Sequence, residues 1–240
     1  MARYRRSPRK PGPVWQFNRL VIKPFVLLFT RQDLRHTDRI PATGGAILAI
    51  NHVSHIDPLL IGWLAWEYGR VTSFLAKSSL FGKSRLLDWW LVRGGHVPVD
   101  RSAGEAGFRA AIKAVEAGAL VAIYVEGSIT KDPTGWPMRA KTGAARIALE
   151  TGAPVYPVGQ WGAQDLLPAY SKKLNIRGRT TVSFSVGDPV PLTDLMGSQD
   201  ADAVREATDR ILAAIVELVE DLRDEAASAE RFDPAARPIH

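Results

Sequence analysis

Residues 46–50, Ala-Ile-Leu-Ala-Ile, form a short apolar block with β-branched members between Gly44-Gly45 and the polar Asn51. That is the pattern of a strand buried in a sheet. Comparable blocks recur at 72–76, 97–99, 120–125, 154–158 and 180–186. Helical patterns separate them: one near 84–93, one over 105–117 ended by Gly118, and one over 143–150 closed by Gly152. The last, over 203–226, repeats Val204, Ala207, Ile211, Ala214, Ile215, Leu218 and Leu222 at helical spacing, so it is expected to pack across the sheet. Short strands alternating with amphipathic helices predict a three-layer α/β domain, a central mixed sheet flanked by helices, with its ligand crevice at the strand ends.

Directly after the block at 46–50 comes Asn51-His52-Val53-Ser54-His55-Ile56-Asp57-Pro58. An imidazole titrates near neutrality and a carboxylate holds its far nitrogen, so His52 and Asp57 have the parts of a general base with its orienter. Asp57-Pro58 reads as a helix start, Asp57 as the N-cap acceptor and Pro58 as the first helical residue, leading into the apolar 59–66. On one continuous helix, residues five apart diverge; a strand end, a tight loop and a helix start bring them together. Asp57 as a simple cap is the plainer alternative, and both roles fit one carboxylate. Ser54 and His55 have the chemistry of a nucleophile and its base, but adjacent strand residues point apart and no Gly-x-Ser-x-Gly elbow surrounds them. A zinc site through His52, His55 and Asp57 is a minor reading in a chain with five histidines and no cysteine.

Three further blocks follow: Val97-Pro98-Val99-Asp100-Arg101, then Glu126-Gly127-Ser128, then Val155-Tyr156-Pro157-Val158. Together with Asn51-His52-x-Ser54-x-x-Asp57, in this order and over roughly residues 40–190, they resemble the glycerolipid acyltransferases of the 1-acylglycerol-3-phosphate acyltransferase type, whose signature is His, four residues, Asp. The resemblance implies transfer of a fatty acyl group from coenzyme A or acyl carrier protein to a free hydroxyl of lysophosphatidate. His52 is then the base and Asp57 its orienter. Arg101, Glu126, Gly127 and Ser128 are implied to hold the acceptor's phosphate and glycerol, and Pro157 to belong to the acyl-donor site. No metal or cofactor is expected beyond the thioester co-substrate, and without cysteine a Cys acyl-enzyme is excluded. The implied alternatives are another phosphoglycerolipid or a glycolipid as acceptor, and a lipid-binding protein that kept the fold without the chemistry.

The third block departs from the usual Pro-Glu-Gly-Thr-Arg: Val125, Ser128 and Ile129 stand where proline, threonine and arginine are usual. Only the arginine carries charge, and Lys131, Arg139 and Lys141 follow closely as replacements. The expectation is a phosphate clamp of Arg101 with Arg139 or Lys141. Arg101 as a surface ion pair with Asp100 or Glu105 is the plainer reading.

Of the chain's formal charge of +6, Arg3, Arg5, Arg6, Arg9 and Lys10 crowd the first ten residues. Beyond Pro13 lies an aromatic-rich helical pattern over 14–29, interrupted by Arg19, Lys23 and Pro24. No run of 18 apolar residues predicts a spanning helix, and no signal peptide is evident. The arm and helix suit an interface at an anionic leaflet, which places the protein on the cytoplasmic face of the cell membrane as a peripheral or monotopic enzyme. A solvated tail, a nucleic-acid patch without a recognised motif, and a helix packed on the domain are the competing readings; 86–92, with Trp89 and Trp90, is similarly ambiguous. A nucleic-acid partner is not expected. The division is a basic arm and interfacial helix over 1–33, a catalytic domain over 34–226 and a tail over 227–240.

Overall fold

A computed structural model of the chain describes residues 13–77, 82–85, 88, 92, 97–99, 105–171 and 173–234. The first helix, α1 (Pro13–Phe29), opens on a proline, whose fixed φ and missing N–H suit a first helical turn. It closes where the Thr30 hydroxyl donates to the Val26 carbonyl at 2.7 Å. There follow β1 (Thr30–Arg35), β2 (Ala46–Ile50), α2 (Asp57–Glu67), β3 (Thr72–Lys77), β4 (Val97–Val99), α3 (Glu105–Glu116) and β5 (Leu120–Tyr124). The second half adds α4 (Gly143–Thr151), β6 (Val155–Trp161), the single turn α5 (Ala163–Leu166), β7 (Thr180–Val186) and α6 (Ala201–Arg223).

Seven strands form one mixed sheet in the order β1-β7-β6-β2-β5-β3-β4. Neighbours run parallel except β6 and β7, which are antiparallel. Alternation along β2 sends Ile47 and Ala49 to one face, against α3, α4 and α6, and Ala46, Leu48 and Ile50 to the other, against α1, α2 and α5. A central parallel strand buried on both faces reads as a continuous apolar run, which is why this segment was legible as a strand. In α2, Leu60, Ile61, Trp63, Leu64, Ala65 and Trp66 are all buried. A helix apolar on nearly every side must be covered on nearly every side; the sheet lies beneath it and α1 packs alongside, with Lys23 bridging to Glu67 at 3.1 Å.

Three expectations are corrected. No strand was expected at 30–35, because Thr-Arg-Gln-Asp-Leu-Arg is polar; the segment is β1, at the sheet edge, where charged side chains find solvent. The boundary expected between residues 33 and 34 therefore falls inside a strand. The segment expected to be a tail from 227 returns to the domain: Ala227 donates to Glu220 Oε1 at 2.7 Å and Arg139 N–H to the Phe232 carbonyl at 3.1 Å. The basic arm, Arg101, and most of the helix expected near 84–93 lie outside the described residues.

Candidate active site

β2 ends at Ile50 and the chain turns through residues 51–56 into α2. Asn51 continues the sheet with side-chain bonds in place of backbone ones: its Nδ2 donates to the Gln160 carbonyl (3.0 Å), its Oδ1 accepts from Gln160 N–H (2.9 Å), and Gln160 Nε2 donates to the Asn51 carbonyl (2.7 Å). All of this is buried, so the strand end is fixed against β6. One residue on, the His52 carbonyl accepts from Thr130 N–H at 2.7 Å and its N–H donates to Glu126 Oε1 at 2.8 Å. His52 is thus held by its backbone from two directions before its side chain is considered.

The His52 ring meets Asp57 at 2.8 Å, Nδ1 to Oδ2. The same Oδ2 accepts Val53 N–H and Ser54 N–H, both at 2.8 Å. Asp57 is fully buried while the His52 side chain is 14% exposed, so the ring looks outward from a buried anion. A carboxylate accepting two backbone N–H groups is an acceptor for the third, so Nδ1 carries the proton and Nε2 is left with its lone pair, facing no hydrogen-bond partner among the described residues. The local chemistry corrects one expectation: Ile56 is the N-cap, Asp57 is the first helical residue, and its carboxylate reaches back to the N–H groups of residues 53 and 54 instead of forward into α2. A negative group in the first turn still complements the helix dipole.

Tyr124, at the end of β5 beside the end of β2, stacks on the His52 ring with centroids 4.1 Å apart and planes 22° from parallel. Phe74 lies nearly parallel on the tyrosine, centroids 6.4 Å apart. Burial pushes the Tyr124 phenol well above its ordinary value of 10, and the charge of Asp57 adds to this, so the stacking partner is neutral. The sequence pointed to Asn51 only as part of the first block, without a role, and did not single out Tyr124 or Gln160. The available signal was that strand-end residues of neighbouring parallel strands meet, but strand order is not written in the local sequence.

Glu126 is 3% exposed and both its oxygens accept backbone N–H groups, from His52 and, at 2.9 Å, from Met138. It ties the loop after β5 to the loop after β2. Burial pushes its carboxyl up to about 8; the N–H bonds from Met138 and His52 oppose that, the charge of Asp57 adds to it, and the Thr130 hydroxyl opposes it. Gly127 turns the chain at φ +75°, its N–H bonded to the Tyr124 carbonyl, a conformation that favours glycine. An added Cβ there would stand 3.4 Å from Lys141 Cγ, so Lys141 lies alongside this turn, with its own N–H bonded to the Val125 carbonyl.

The other expected site residues are placed less centrally. Arg139 is exposed and paired with Asp233 at 3.1 Å, while Lys141 is exposed beside the Gly127 turn. Ser128 is half-buried beside Gly127, and Ile129, where the arginine was usual, is 3% exposed in the interior. Pro157 is buried opposite Ala49, with its ring against Gly187 and on the α6 side of the sheet, the face away from Tyr124. The Ser54 hydroxyl donates to the Leu167 carbonyl at 2.6 Å, which occupies the proton a nucleophilic serine must give up. Among the described residues no three His, Cys, Asp or Glu side chains are grouped as a metal site.

Residues 31–161, more than half of the chain, match the family model described as Acyltransferase. A chloroplastic 1-acyl-sn-glycerol-3-phosphate acyltransferase of Brassica napus is 26% identical over 158 residues, which are 64% of this chain and 44% of that protein. The match therefore spans less than half of the curated relative's length. The crystal structure of the 1-acyl-sn-glycerophosphate (LPA) acyltransferase PlsC from Thermotoga maritima aligns with a TM-score of 0.68 at 24% identity, covering 90% of this chain and 80% of that one. At that identity the likeness establishes a shared fold, the mixed sheet flanked by helices.

Proposed function

The chain belongs to the Acyltransferase family, and from that premise we propose that it moves a fatty acyl group from acyl-coenzyme A or acyl carrier protein to the free hydroxyl of lysophosphatidate, giving phosphatidate. One observation carries the reading: His52 Nδ1 is locked to a buried carboxylate, which leaves Nε2 as a base on the partly exposed side of the ring.

In the proposed step the acceptor hydroxyl gives its proton to Nε2 as its oxygen attacks the thioester carbonyl carbon. The carbon–oxygen bond forms and the carbonyl π electrons move onto oxygen. When the tetrahedral intermediate collapses, the carbon–sulfur bond breaks and the thiolate takes the proton from Nε2, leaving as thiol. Asp57 keeps the proton on Nδ1 and stabilises the transient imidazolium. The chain has no cysteine to hold the acyl group, in keeping with direct transfer. Lys141, beside the Gly127 turn, is the described cation we assign to the acceptor's phosphate, with Arg101 as its partner by the family pattern. Glu126 and Gly127 shape that turn, and Ser128 stands next to it.

The acceptor is a lipid, and α1 gives the protein a way to reach it. Leu20, Val21, Leu27 and Leu28 are 74%, 54%, 47% and 67% exposed, and with Pro24 they form one stripe at helical spacing. Val26 on the opposite side is buried against the domain, and Lys23 at the flank of the stripe pairs with Glu67. A helix of 17 residues is about 26 Å long, under the roughly 30 Å of a hydrocarbon core. Among the described residues no helix is long and apolar enough to cross a membrane. We assign α1 to the plane of the interface, on the cytoplasmic leaflet.

The test is product analysis: purified protein with acyl-coenzyme A and, in turn, lysophosphatidate, a zwitterionic lysophospholipid and a glycolipid. Thiol release with phosphatidate as the preferred product supports the proposal. Release with another acceptor preferred reassigns the substrate, and no release with any acceptor or with an acyl carrier protein donor rejects the activity.

A further inference from the structure

The connection from α5 to β7, residues 167–179, carries exposed apolar side chains among its cations, and its ends are held by hydrogen bonds. At its start the Leu167 carbonyl accepts the Ser54 hydroxyl, and the Tyr170 hydroxyl donates to the Ile129 carbonyl at 2.9 Å, with its ring edge-on to His55 at 6.2 Å. Asn175 N–H bonds back to the Leu166 carbonyl at 2.7 Å. At its end the Arg179 guanidinium donates twice, at 3.0 and 2.7 Å, to the carbonyl of Thr30, the residue that follows α1. Between these anchors Tyr170, Leu174 and Ile176 are 59%, 42% and 56% exposed. Exposed connections ordinarily show water polar side chains, and three large apolar ones together mark a contact surface.

Along the segment itself the charge has one sign, with the exposed Asp165 of α5 beside it, its carbonyl accepting from Asn175 Nδ2 at 3.2 Å. No Asp or Glu occurs from 166 to 187, while Lys172, Lys173, Arg177 and Arg179 all fall in that span. Lys173 and Arg177 are exposed, with no ion pair among the described residues. Apolar side chains interleaved with unpaired cations suit the boundary of an anionic bilayer, where the first enter the acyl region and the second stay with the phosphates. The bond from Arg179 to Thr30 joins this connection to the end of α1, where Leu27 and Leu28 are exposed.

We propose that residues 170–179 are a second bilayer contact, a lip seated on anionic phospholipid and fixed to the rim of the His52 site. The inference rests on the membrane-surface reading of α1 and extends it. Tyr170 of the lip is bonded to Ile129 and lies edge-on to His55, and Leu167 just before the lip is bonded to Ser54, so the lip is tied to the loop that carries His52.

The experiment uses the full chain with vesicles of phosphatidylcholine, with and without phosphatidylglycerol. It compares the wild type with Leu174→Asp plus Ile176→Asp, and with Lys173→Gln plus Arg177→Gln, all matched for melting temperature. The apolar pair is expected to lose at least about tenfold in vesicle affinity. The cation pair is expected to lose about fivefold per cation on anionic vesicles alone, with a weaker salt dependence. Turnover of a water-soluble short-chain acceptor stays at the wild-type value in both. Wild-type vesicle affinity in the apolar pair overturns the proposal. So does a defect confined to the KM for an acyl carrier protein donor, which assigns the surface to an acidic protein. Failure of the wild type to bind any vesicle overturns the lip and the α1 reading together, while thiol release from the soluble acceptor reports the chemistry separately.

Discussion

Asp57 Oδ2 accepts three donors at 2.8 Å, from His52 Nδ1 and from the N–H groups of Val53 and Ser54, while Oδ1 is buried without a partner among the described residues. An amide of the same shape accepts the same bonds without the charge that stabilises an imidazolium. Asp57→Asn is therefore expected to lower kcat by about 10² to 10⁴ with KM little changed, read by thiol release at saturating acceptor; a loss confined to KM contradicts the assigned role. Glu126 gives a prediction in pH. Burial raises its carboxyl from 4.5 to about 8, so the folded chain holds that proton more tightly than the unfolded chain does. The associated stability is complete below the ordinary glutamate range and is lost as pH rises through about 8. Glu126→Gln cannot titrate, so the melting temperature of the wild type relative to this variant should fall between pH 5 and roughly 8.5, and parallel curves refute the assignment. The pairing of His52 with Asp57 was legible because a loop of six residues between a strand end and a helix start closes only a few ways. Glu126 was read as a substrate group because its identity does not show that both its oxygens face backbone N–H groups from two other segments.

Helix α6 lies directly on β6 because Gly159 has no side chain. A Cβ at that position would stand 2.8 Å from Leu218 Cβ and 3.1 Å from Val219 N, toward the C-terminal end of the helix. Gly159→Ala is expected to cost about 1–3 kcal/mol by overpacking, seen as a lower urea midpoint; an unchanged midpoint means the helix yields more easily than a packed layer should. The apolar repeat of α6 and the continuous apolar strands β2, β5 and β6 were readable, since burial on one face or two leaves a period in the sequence. β1 was not, because a polar edge strand is specified by its neighbour β7 and not by its own residues. The lip at 170–179 was also passed over: its apolar residues follow no period, and only exposure in the folded chain sets them apart.

Across the whole molecule, β2 sits between β5 and β6, and connections leave it toward both halves of the sheet. Crevices in open α/β sheets form where the chain diverges in this way. Here the ends of β2 and β5 bring His52, Asp57, Tyr124 and the Gly127 turn together. The α/β layering was legible from the order of blocks, whereas the antiparallel β6–β7 pair and the return of residues 227–234 depend on contacts between distant segments. The central claim is that His52 Nε2 removes the acceptor's proton. It is tested most directly by the rate of thiol release from acyl-coenzyme A in the presence of lysophosphatidate, for the wild type and for His52→Ala of equal melting temperature. Phosphatidate formation by the wild type and a rate lower by about 10² to 10⁴ in the variant are expected; acyl transfer by the variant at the wild-type rate removes His52 from the chemistry.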